Sequence, residues 1–334
     1  VVLLLIGGGI ATALIAALRT EPPAAPPVSH TKTAPKPTTV ASTLTGLQVE
    51  PAANQRPVLG VMIENSLEAR PQSGLDQAGI VFEAIAEGGI TRFLALFQDK
   101  QPDYIGPVRS IRPYYASWCM SFDCALAHAG GSPEGLSNLR TWQTKDLDQF
   151  ANSNAYDRIR ERYAPHNLYT TTTKLNNLVA VKGFQPPNYV GLLRKPDTPV
   201  QPATTTAVNV AISGSTYNSA YEYNNTTNSY KRNQGGVPHM TVNARGEQTQ
   251  IMPKVIVVIV VPYGISSDQH SQYTTTGTGE AIVFQDGRAT PAIWNKTDVN
   301  TPFTLNTTDG APLALNPGQT WITAVSARSL VTYK

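Results

Sequence analysis

The sequence predicts an α+β protein: one transmembrane helix, then an N-terminal mixed α/β domain, then a mostly antiparallel β domain. The chain begins with an uncharged apolar run, its first half alternates short buried runs with helix and turn signals, and its second half has alternating strands separated by Asp–Gly turns. The segments predicted are a transmembrane anchor at 1–18, a Pro/Ala/Thr-rich linker at 19–55, an N-terminal domain at 56–200 and a C-terminal β domain at 201–334.

The composition is that of a folded protein with a weakly charged surface. Hydrophobic residues make up 41% of the 334 residues, and charged residues only 15%, against about 25% in ordinary soluble domains. The formal net charge is +3 and the basic residues are dispersed, which argues against a nucleic-acid partner. The two cysteines, Cys119 and Cys124, could form a disulfide outside the cytoplasm or be two small buried residues.

Residues 1–18 read VVLLLIGGGIATALIAAL and carry no charge. Their length lies at the lower edge of the roughly 17–25 residues that a membrane helix needs. We therefore expect a single-pass anchor in the cell membrane, with the soluble body outside the cytoplasm, and further residues upstream of Val1. A cleaved signal peptide is the alternative. No cysteine follows the run, so lipid attachment of the bacterial lipoprotein kind is not expected.

The segment at 19–55 is rich in Pro, Ala and Thr and has few large apolar residues. Repeated proline favours extended, polyproline-like conformations, and the segment offers little apolar surface to bury. We interpret it as a spacer between the membrane and the folded body.

Residues 80–98 predict a β-hairpin whose two central glycines form a two-residue turn. That turn would pair Ile85 with Arg92 and place Glu83, Glu87 and Arg92 on one face of the hairpin. An arginine between two glutamates is either a structural ion triad or the floor of a polar site.

A helix is predicted at 113–122, because Pro113 suits a first helical turn. Arg109, Ser110 and Arg112 would then lie at its N-terminus, where free N–H groups and the helix dipole favour anions. Two arginines add bidentate donors for a carboxylate or phosphate. They could also simply pair with nearby glutamates, including Glu64.

A buried strand at 125–129 carries His128 and leads through two glycines to Ser132. Ser132 followed by Pro133 is a typical N-cap and first helical residue, which would create a second anion-ready helix N-terminus. A nucleophilic serine is the alternative, but Glu134 stands where the G-x-S-x-G elbow requires glycine. Capping is therefore the preferred interpretation.

Three arginines, His166 and Asn167 come together at 158–169, ahead of a predicted helix at 173–181. His128 and His166 could bind a metal together with Glu83 or Glu87. No H-x-x-x-H or H-E-x-x-H spacing supports such a site, so no metal and no cofactor are expected.

The pattern beyond residue 205 is one of strands and tight turns. The β-branched run at 255–261 is too short to span a membrane and predicts a fully buried central strand. His239 lies in a predicted loop, where it is either solvated or capping, or points back to the first region.

The sequence contains RPQSGL at 70–75, EGGITR at 87–92, IGPVRS at 105–110, HAGGS at 128–132 and APHNLY at 164–169. Its second half contains YKR at 230–232, VPH at 237–239, GTG at 277–279, DGR at 286–288 and LNPGQTW at 315–321. With these motifs the chain resembles the bacterial YerB-like lipoproteins of the DUF3048 family, over residues 56–325. The resemblance implies a two-domain extracytoplasmic protein and supplies no catalytic residues. The chain departs from that family in having no lipidation cysteine, and its two cysteines look like additions.

The leading functional hypothesis is a binding or scaffold module of the cell envelope rather than an enzyme. Its ligand would be anionic, such as a cell-wall glycan or peptide carboxylate. Arg92, Arg109, Arg112 and backbone N–H groups near Ser132 would hold it.

Two further hypotheses remain open. The chain could be a hydrolase or transferase in which Glu83 or Glu87 works with His128 or His166 in acid–base catalysis. It could instead dock envelope proteins of cell-wall synthesis through its β domain, which a large exposed apolar patch would favour.

Overall fold

The computed structural model describes residues 38–334. The predicted membrane helix at 1–18 and residues 19–37 of the predicted linker lie outside the described residues. From residue 38 onward, none of the helices combines the length and the apolar character that crossing a membrane requires.

Three α-helices occur among the described residues: α1 Pro113–Met120, α2 Pro133–Thr141 and α3 Thr172–Val181. Proline opens α1 and α2, where its missing N–H costs nothing. The hydroxyl of Thr171 accepts a hydrogen bond from Lys174 N at 3.0 Å and caps α3. All three helices are short and are stabilised mainly by packing against a sheet.

The rest of the described part of the chain is mainly β structure. Its first strands are β1 Val40–Ala41, β2 Gln48–Val49, β3 Leu59–Glu64, β4 Ile80–Ile85, β5 Thr91–Phe97, β6 Ala125–His128, β7 Lys145–Asp148, β8 Asp157–Arg158 and β9 Leu168–Tyr169. They are followed by β10 Ala207–Val210, β11 Ser219–Asn224, β12 Ser229–Gln234, β13 Val237–Pro238, β14 Met240–Val242, β15 Gln248–Gln250, β16 Val255–Val260, β17 Tyr263–Ile265, β18 Ser271–Tyr273, β19 Gly277–Gln285, β20 Arg288–Lys296, β21 Thr304–Thr307, β22 Thr320–Val325 and β23 Val331–Tyr333. The α+β class predicted from the sequence is confirmed.

A ten-stranded sheet forms the centre of the molecule, in the order β21-β20-β19-β16-β22-β4-β5-β3-β6-β7. Strands from both halves of the sequence build it, and the two halves meet where β22 pairs in parallel with β4. The predicted N-terminal and C-terminal domains therefore share one sheet instead of folding as separate bodies. The predicted central strand is β16, which is buried between β19 and β22.

Layers cover both faces of this sheet because its central strands are apolar on both sides. Along β4, for example, Phe82 faces one core and Val81 the other. Helices α1 and α2 pack on the first face. Helix α3 and a five-stranded sheet in the order β13-β12-β11-β10-β23 contribute their apolar residues to the core on the second face.

The predicted register of the β4–β5 hairpin is wrong by one residue. Arg92 pairs with Ala84, and Glu83 pairs with Phe93. The cause is a bulge at the turn, where Ile90 accepts a hydrogen bond from Ala86 N at 2.7 Å and also donates one to the Glu87 carbonyl at 2.9 Å. A one-residue shift moves a side chain to the opposite face, so Glu83 and Arg92 lie on different faces of the sheet.

The predicted linker ends too late. Residues 38–55 include the β1–β2 hairpin, and Leu44 at its turn is fully buried in the first core. Ser42 Oγ donates a hydrogen bond to Asp99 at 2.6 Å, and Gly318 N donates one to the Thr45 carbonyl at 2.9 Å. One buried leucine and several hydrogen bonds hold this segment against the rest of the protein. Its composition resembles that of the residues before it, so composition alone does not show where the folded region begins.

Cys119 and Cys124, at the end of α1 and just before β6, form a disulfide. Both residues are buried in the first core. The pair is therefore both a disulfide and two small buried residues, so both interpretations of the sequence are correct.

Candidate functional site

A cleft of about 500 Å³ lies at one end of the central sheet. Strands β3, β6 and β7 are parallel neighbours, and their carboxyl ends are Glu64, His128 and Asp148. The cleft is lined by residues 108–110, by residues 129–131 and by side chains between 148 and 168. Ligands of open α/β sheets bind in crevices outside the carboxyl ends of the strands, and this cleft has that location.

The strip at 108–111 forms one wall and is fixed by backbone hydrogen bonds. Arg109 N donates to the Met62 carbonyl at 2.9 Å, and the Arg109 carbonyl accepts from Ala129 N at 3.1 Å. Ile111 N donates to the Gly130 carbonyl at 2.9 Å. The strip therefore bridges β3 and the turn after β6, and holds Arg109 and Ser110 at the cleft.

The glycine turn after β6 lies next to this strip and continues the wall. Gly130 adopts a left-handed conformation with φ of 61°, and a Cβ on Gly131 would lie 2.4 Å from Ile111 Cγ2. The Ser132 hydroxyl accepts a hydrogen bond from Gly135 N at 3.2 Å, as a helix cap does. Ser132 is therefore a capping residue, as the sequence predicts, and its hydroxyl is committed to α2.

Most backbone donors near Ser132 are already bonded. Gly130 N donates to Asp148 Oδ1 at 2.9 Å, and Ser132 N donates to the Ile111 carbonyl at 3.3 Å. Gly131 N has no hydrogen-bond partner among residues 38–334. The turn thus offers a ligand one amide group rather than the several that the sequence suggests.

Two arginines reach the cleft, and one of them was not among the predicted site residues. Arg109 Nε lies 3.3 Å from Glu64 Oε1, so a carboxylate already balances its charge. Arg158 is exposed, and its Nη1 donates to the neutral Asn167 amide at 2.7 Å. No carboxylate of the described residues pairs with Arg158. Asn167 therefore acts indirectly, by orienting Arg158.

Glu64, His166 and Ser66 form a hydrogen-bonded group beside Arg109. Glu64 Oε1 lies 3.0 Å from His166 Nδ1 and 3.1 Å from Ser66 Oγ. A carboxylate can only accept, so Nδ1 of the ring carries the proton and Nε2 is the basic nitrogen. The Glu64 side chain is 5% exposed, and that of His166 is 23% exposed. Neither Glu64 Oε2 nor His166 Nε2 has a hydrogen-bond partner within the described part of the chain.

Arg92 and Arg112 do not face the cleft but share the Glu87 carboxylate. Arg112 Nε bonds to Glu87 Oε1, and Arg92 Nη2 lies 3.4 Å from Oε2. Burial raises the pKa of Glu87, but the Arg112 hydrogen bond and the two positive charges outweigh it, so this pKa lies below its ordinary value. The interpretation of these arginines as partners of nearby glutamates is confirmed.

His128 is fully buried at the end of β6 and has a structural role. Its Nε2 lies 3.1 Å from Asp146 Oδ1, and its Nδ1 lies 2.9 Å from the Gly130 carbonyl. Burial raises the pKa of Asp146, but the hydrogen bond and charge interaction with His128 and the hydrogen bond from Asp148 N together outweigh burial, so the pKa is lowered. The ring holds the glycine turn against β7.

Glu83 is buried on the other face of the sheet, beneath Arg232. His239 belongs to the same group: its Nδ1 accepts from Arg232 Nε at 2.9 Å, and its Nε2 is 3.1 Å from Gln72 Oε1. His239 thus points back to the first region and is neither solvated nor a cap. Its position depends on a side-chain hydrogen bond to a residue 167 positions away in the sequence, which no local motif signals.

Four residues proposed for acid–base catalysis are not brought together. Glu83 pairs with Arg232, Glu87 with Arg112, His128 with Asp146 and His166 with Glu64. No partner is common to any two of these pairs. The pairing of Glu83 or Glu87 with His128 or His166 is therefore wrong, and so is the metal site that needs the same side chains. Within residues 38–334, no cluster of three His, Cys, Asp or Glu side chains could hold a metal.

The structure adds Glu64 and Arg158 to the site, and sequence reasoning gave them only a minor place. Glu64 directly follows an apolar run, as His128 does, and both positions mark carboxyl ends of strands. Their shared position at strand ends is the sequence signal that could have predicted that both lie near the strip at 108–111. Their convergence also required knowing that β3 and β6 are adjacent.

The docking hypothesis for the β region stays a prediction. Three large apolar side chains of that region are exposed, Val237, Ile265 and Tyr333. Val237 and Tyr333 belong to β13 and β23, which are opposite edges of the five-stranded sheet, and Ile265 belongs to a separate hairpin. These three residues therefore do not form one patch.

Comparison with known proteins gives matches over most of the chain. The model of the family described as "Protein of unknown function (DUF3048) N-terminal domain" matches residues 44–185, and that of the DUF3048 C-terminal domain matches residues 208–322. The chain is 31% identical over 287 residues to the "Putative lipoprotein YerB" of Bacillus subtilis (strain 168), covering 84% of this chain and 85% of that protein. A crystal structure of the YerB protein from Bacillus subtilis superposes with a TM-score of 0.77 at 28% identity, covering 88% of this chain and 99% of that one.

Proposed function

The chain belongs to the DUF3048 family, and from that premise we propose that it is a binding protein of the cell envelope whose cleft holds an anionic ligand. It acts outside the cytoplasm, attached to the membrane by residues 1–18. The lipoprotein description of its Bacillus relative supports retention at a membrane, since a lipid and an apolar helix are alternative means to that end.

The proposal rests mainly on Arg158, which lies in the same cleft as Arg109 and pairs with no carboxylate among the described residues. Arg158 is held by the neutral amide of Asn167 and points to a cleft that Arg109 also lines. Asp148 is the one acidic side chain of the lining, and its Oδ1 is occupied by Gly130 N and lies 3.6 Å from His128. The two guanidinium groups thus favour a carboxylate or phosphate over a neutral ligand.

The ligand class follows from the donors and from the location. Arginine forks bind the two oxygens of a carboxylate or phosphate, and Gly131 N can add a backbone donor. Outside a bacterial cell, groups of this kind are carried by cell-wall glycans, their peptide carboxylates and anionic wall polymers. A cell-wall glycan or peptide is therefore the ligand we expect.

Calorimetric titration of the protein with muropeptides and with teichoic-acid fragments tests the proposal. Arg158→Gln and Arg109→Gln should each weaken binding by about tenfold or more, because a charge-assisted hydrogen bond contributes roughly 1.5–3 kcal/mol. Arg245→Gln is the matched control, since Arg245 is an exposed arginine paired with Glu247 on the β14–β15 hairpin. No heat and no rise in melting temperature with any of these probes would count against the proposal.

A second candidate function is acid–base catalysis by the Glu64–His166 pair, which lies beside the cleft next to Arg109. Glu64 fixes the ring through Nδ1 and leaves Nε2 without a partner among residues 38–334. In that position Nε2 can take a proton from water or a hydroxyl and return it to a leaving group, while Arg109 stabilises negative charge.

Mass spectrometry of the bound ligand after incubation distinguishes the two functions. Catalysis predicts cleaved or transferred product that His166→Gln abolishes while binding is retained. Intact ligand after prolonged incubation with the wild-type protein excludes the catalytic function and leaves the binding function in place.

A further inference from the structure

A second cleft of about 410 Å³ is lined in part by residues that lie close in sequence to the lining of the first. The partly exposed Tyr263 lines it and packs on Tyr273, with ring centroids 4.9 Å apart, and Tyr273 lies 4.9 Å from Tyr114. Tyr273 and Tyr114 are buried, so the ring of Tyr263 is the main aromatic surface that a ligand can reach. The side chains of Gln272 and Thr274, both exposed, lie at its rim. We refer to this second cleft as the tyrosine cleft.

The two clefts share no lining residue, but two segments of the chain line first one cleft and then the other. Residues 108–110 line the first cleft, and Pro113 and Tyr114, next along the same strip, line the tyrosine cleft. On the other side, Leu136 of α2 lines the first cleft and Glu134 lines the second. The same strip and the same helix end therefore run past both clefts.

The floor of the tyrosine cleft is held rigidly. Tyr273 Oη accepts a hydrogen bond from Ile85 N at 3.1 Å, and Thr275 Oγ1 donates to Ser117 Oγ at 2.8 Å. These contacts fix the end of the β17–β18 hairpin against β4 and α1. A ligand that binds here meets the ring of Tyr263 on a preformed support and loses little affinity to ordering of the protein.

The chemistry of the tyrosine cleft fits a sugar ring. Tyrosine has a flat apolar body and a polar tip, which match the C–H face and the hydroxyl edge of a pyranose. The side chains of Glu134, Gln272 and Thr274 make no hydrogen bonds to other described residues, so their oxygens and nitrogens are available to hydroxyl groups.

We propose that the ligand of the first cleft is an anionic oligosaccharide that continues into the tyrosine cleft. This inference rests on the proposed function. Arg109 and Arg158 would hold the acidic group of one unit, and the tyrosine cleft would hold the ring of a later unit. A ligand that occupies both clefts has to be chain-like, because a single sugar fills only one of them.

Binding of four named probes tests the inference. They are a disaccharide and a tetrasaccharide of alternating N-acetylglucosamine and N-acetylmuramic acid, uncharged chitotetraose, and a glycerol phosphate oligomer. The tetrasaccharide should bind about tenfold more tightly than the disaccharide, since it alone reaches both clefts. Chitotetraose lacks the acid and should bind more weakly than the tetrasaccharide.

Variants of the tyrosine cleft separate it from the first cleft. Tyr263→Ala should remove the tenfold gain of the tetrasaccharide and leave disaccharide affinity unchanged, while Tyr263→Phe should keep the gain. Tyr263 Oη lies 3.2 Å from Ser271 Oγ, so the alanine variant could loosen the hairpin. Gln272→Ala changes only an exposed side chain and should lower the gain without affecting the fold.

The outcomes distinguish this inference from the proposed function. Equal affinity for disaccharide and tetrasaccharide, both dependent on Arg158, overturns the two-cleft inference and leaves the proposed function intact. A gain that persists in Tyr263→Ala and Gln272→Ala also overturns it. If glycerol phosphate shows the same Tyr263-dependent gain, the sugar ring is not what the cleft recognises and the inference fails. Absence of binding by every anionic probe removes both.

Discussion

Arg232 donates two hydrogen bonds to Glu83, at 3.1 and 2.9 Å, across 149 residues of sequence and with neither side chain exposed. The guanidinium also lies 4.3 Å over the ring of Trp321, whose Nε1 donates to the same carboxylate at 2.9 Å. Arg232 belongs to β12 of the five-stranded sheet and Glu83 to β4 of the central sheet. One buried charge pair thus ties the two sheets together.

Removing either partner should destabilise the protein strongly. Glu83→Gln or Arg232→Met leaves the other group buried without its countercharge, a change that costs about 3–5 kcal/mol in comparable sites. The double variant should cost less than the sum of the single variants, because it leaves no isolated charge. Urea unfolding followed by circular dichroism measures these free energies.

The control for this pair is Arg245→Gln, which breaks an ion pair exposed on both sides. It should change the free energy of unfolding very little, because water screens such pairs. If the two single variants at Glu83 and Arg232 behaved like this control, the buried pair would not be the tie between the sheets.

Acid should destabilise the fold through His239. Burial, together with the charges of Arg232 and Arg70, holds the pKa of His239 well below its ordinary value. The unfolded chain binds a proton at this histidine near pH 6.5, whereas the folded protein does not. Stability from this group is therefore complete above pH 6.5 and is lost as the pH falls below it, by up to about 1.4 kcal/mol per pH unit.

His239→Gln should flatten the fall in unfolding free energy between pH 6.5 and 5. The comparison uses slopes, so any constant loss of stability in the variant does not matter. His270→Gln, which removes a partly exposed histidine paired with Asp268, should keep the wild-type slope. An unchanged slope in His239→Gln would show that other groups cause the acid sensitivity.

Neutralising Glu64 should strengthen anion binding in the first cleft. Glu64 Oε1 lies 3.3 Å from Arg109 Nε and offsets its charge, so Glu64→Gln leaves Arg109 free for a ligand. We expect a two- to fivefold lower dissociation constant for muropeptides, or about 0.4–1 kcal/mol. Calorimetric titration measures it.

The same variant distinguishes the candidate functions, since catalysis by His166 needs the carboxylate that orients its ring. Tighter binding together with lost turnover supports catalysis. If Glu64→Gln binds the ligand more tightly and neither the wild type nor the variant converts it to a product, the result supports a binding protein without catalytic activity. Weaker binding in Glu64→Gln would mean that Glu64 positions Arg109 rather than competing for it.

Local sequence patterns predicted much of the fold and part of the candidate site. Ser132 and Pro133 predicted the start of α2 because capping depends on neighbouring residues alone. The prediction that Glu83 and Arg92 share one face of the hairpin failed because a one-residue bulge at the turn changes the register, and no propensity distinguishes it from a plain two-residue turn. Arg232 could not be predicted as the partner of Glu83, since their contact depends on how two sheets stack.

The segment at 38–55 should behave as part of the folded body rather than as a spacer. Leu44 is fully buried, its carbonyl accepts a hydrogen bond from Arg194 Nη2 at 2.7 Å, and a Cβ on Gly79 would lie 2.7 Å from its Cδ2. Leu44→Ala should therefore lower the free energy of unfolding by about 2–5 kcal/mol, as for other buried leucines. Leu47→Ala is the matched control, because Leu47 is 39% exposed on the same hairpin and should matter little. Urea unfolding measures the free energy of unfolding of both variants. If both substitutions lowered it by the same small amount, residues 38–55 would be part of the linker and not of the folded body.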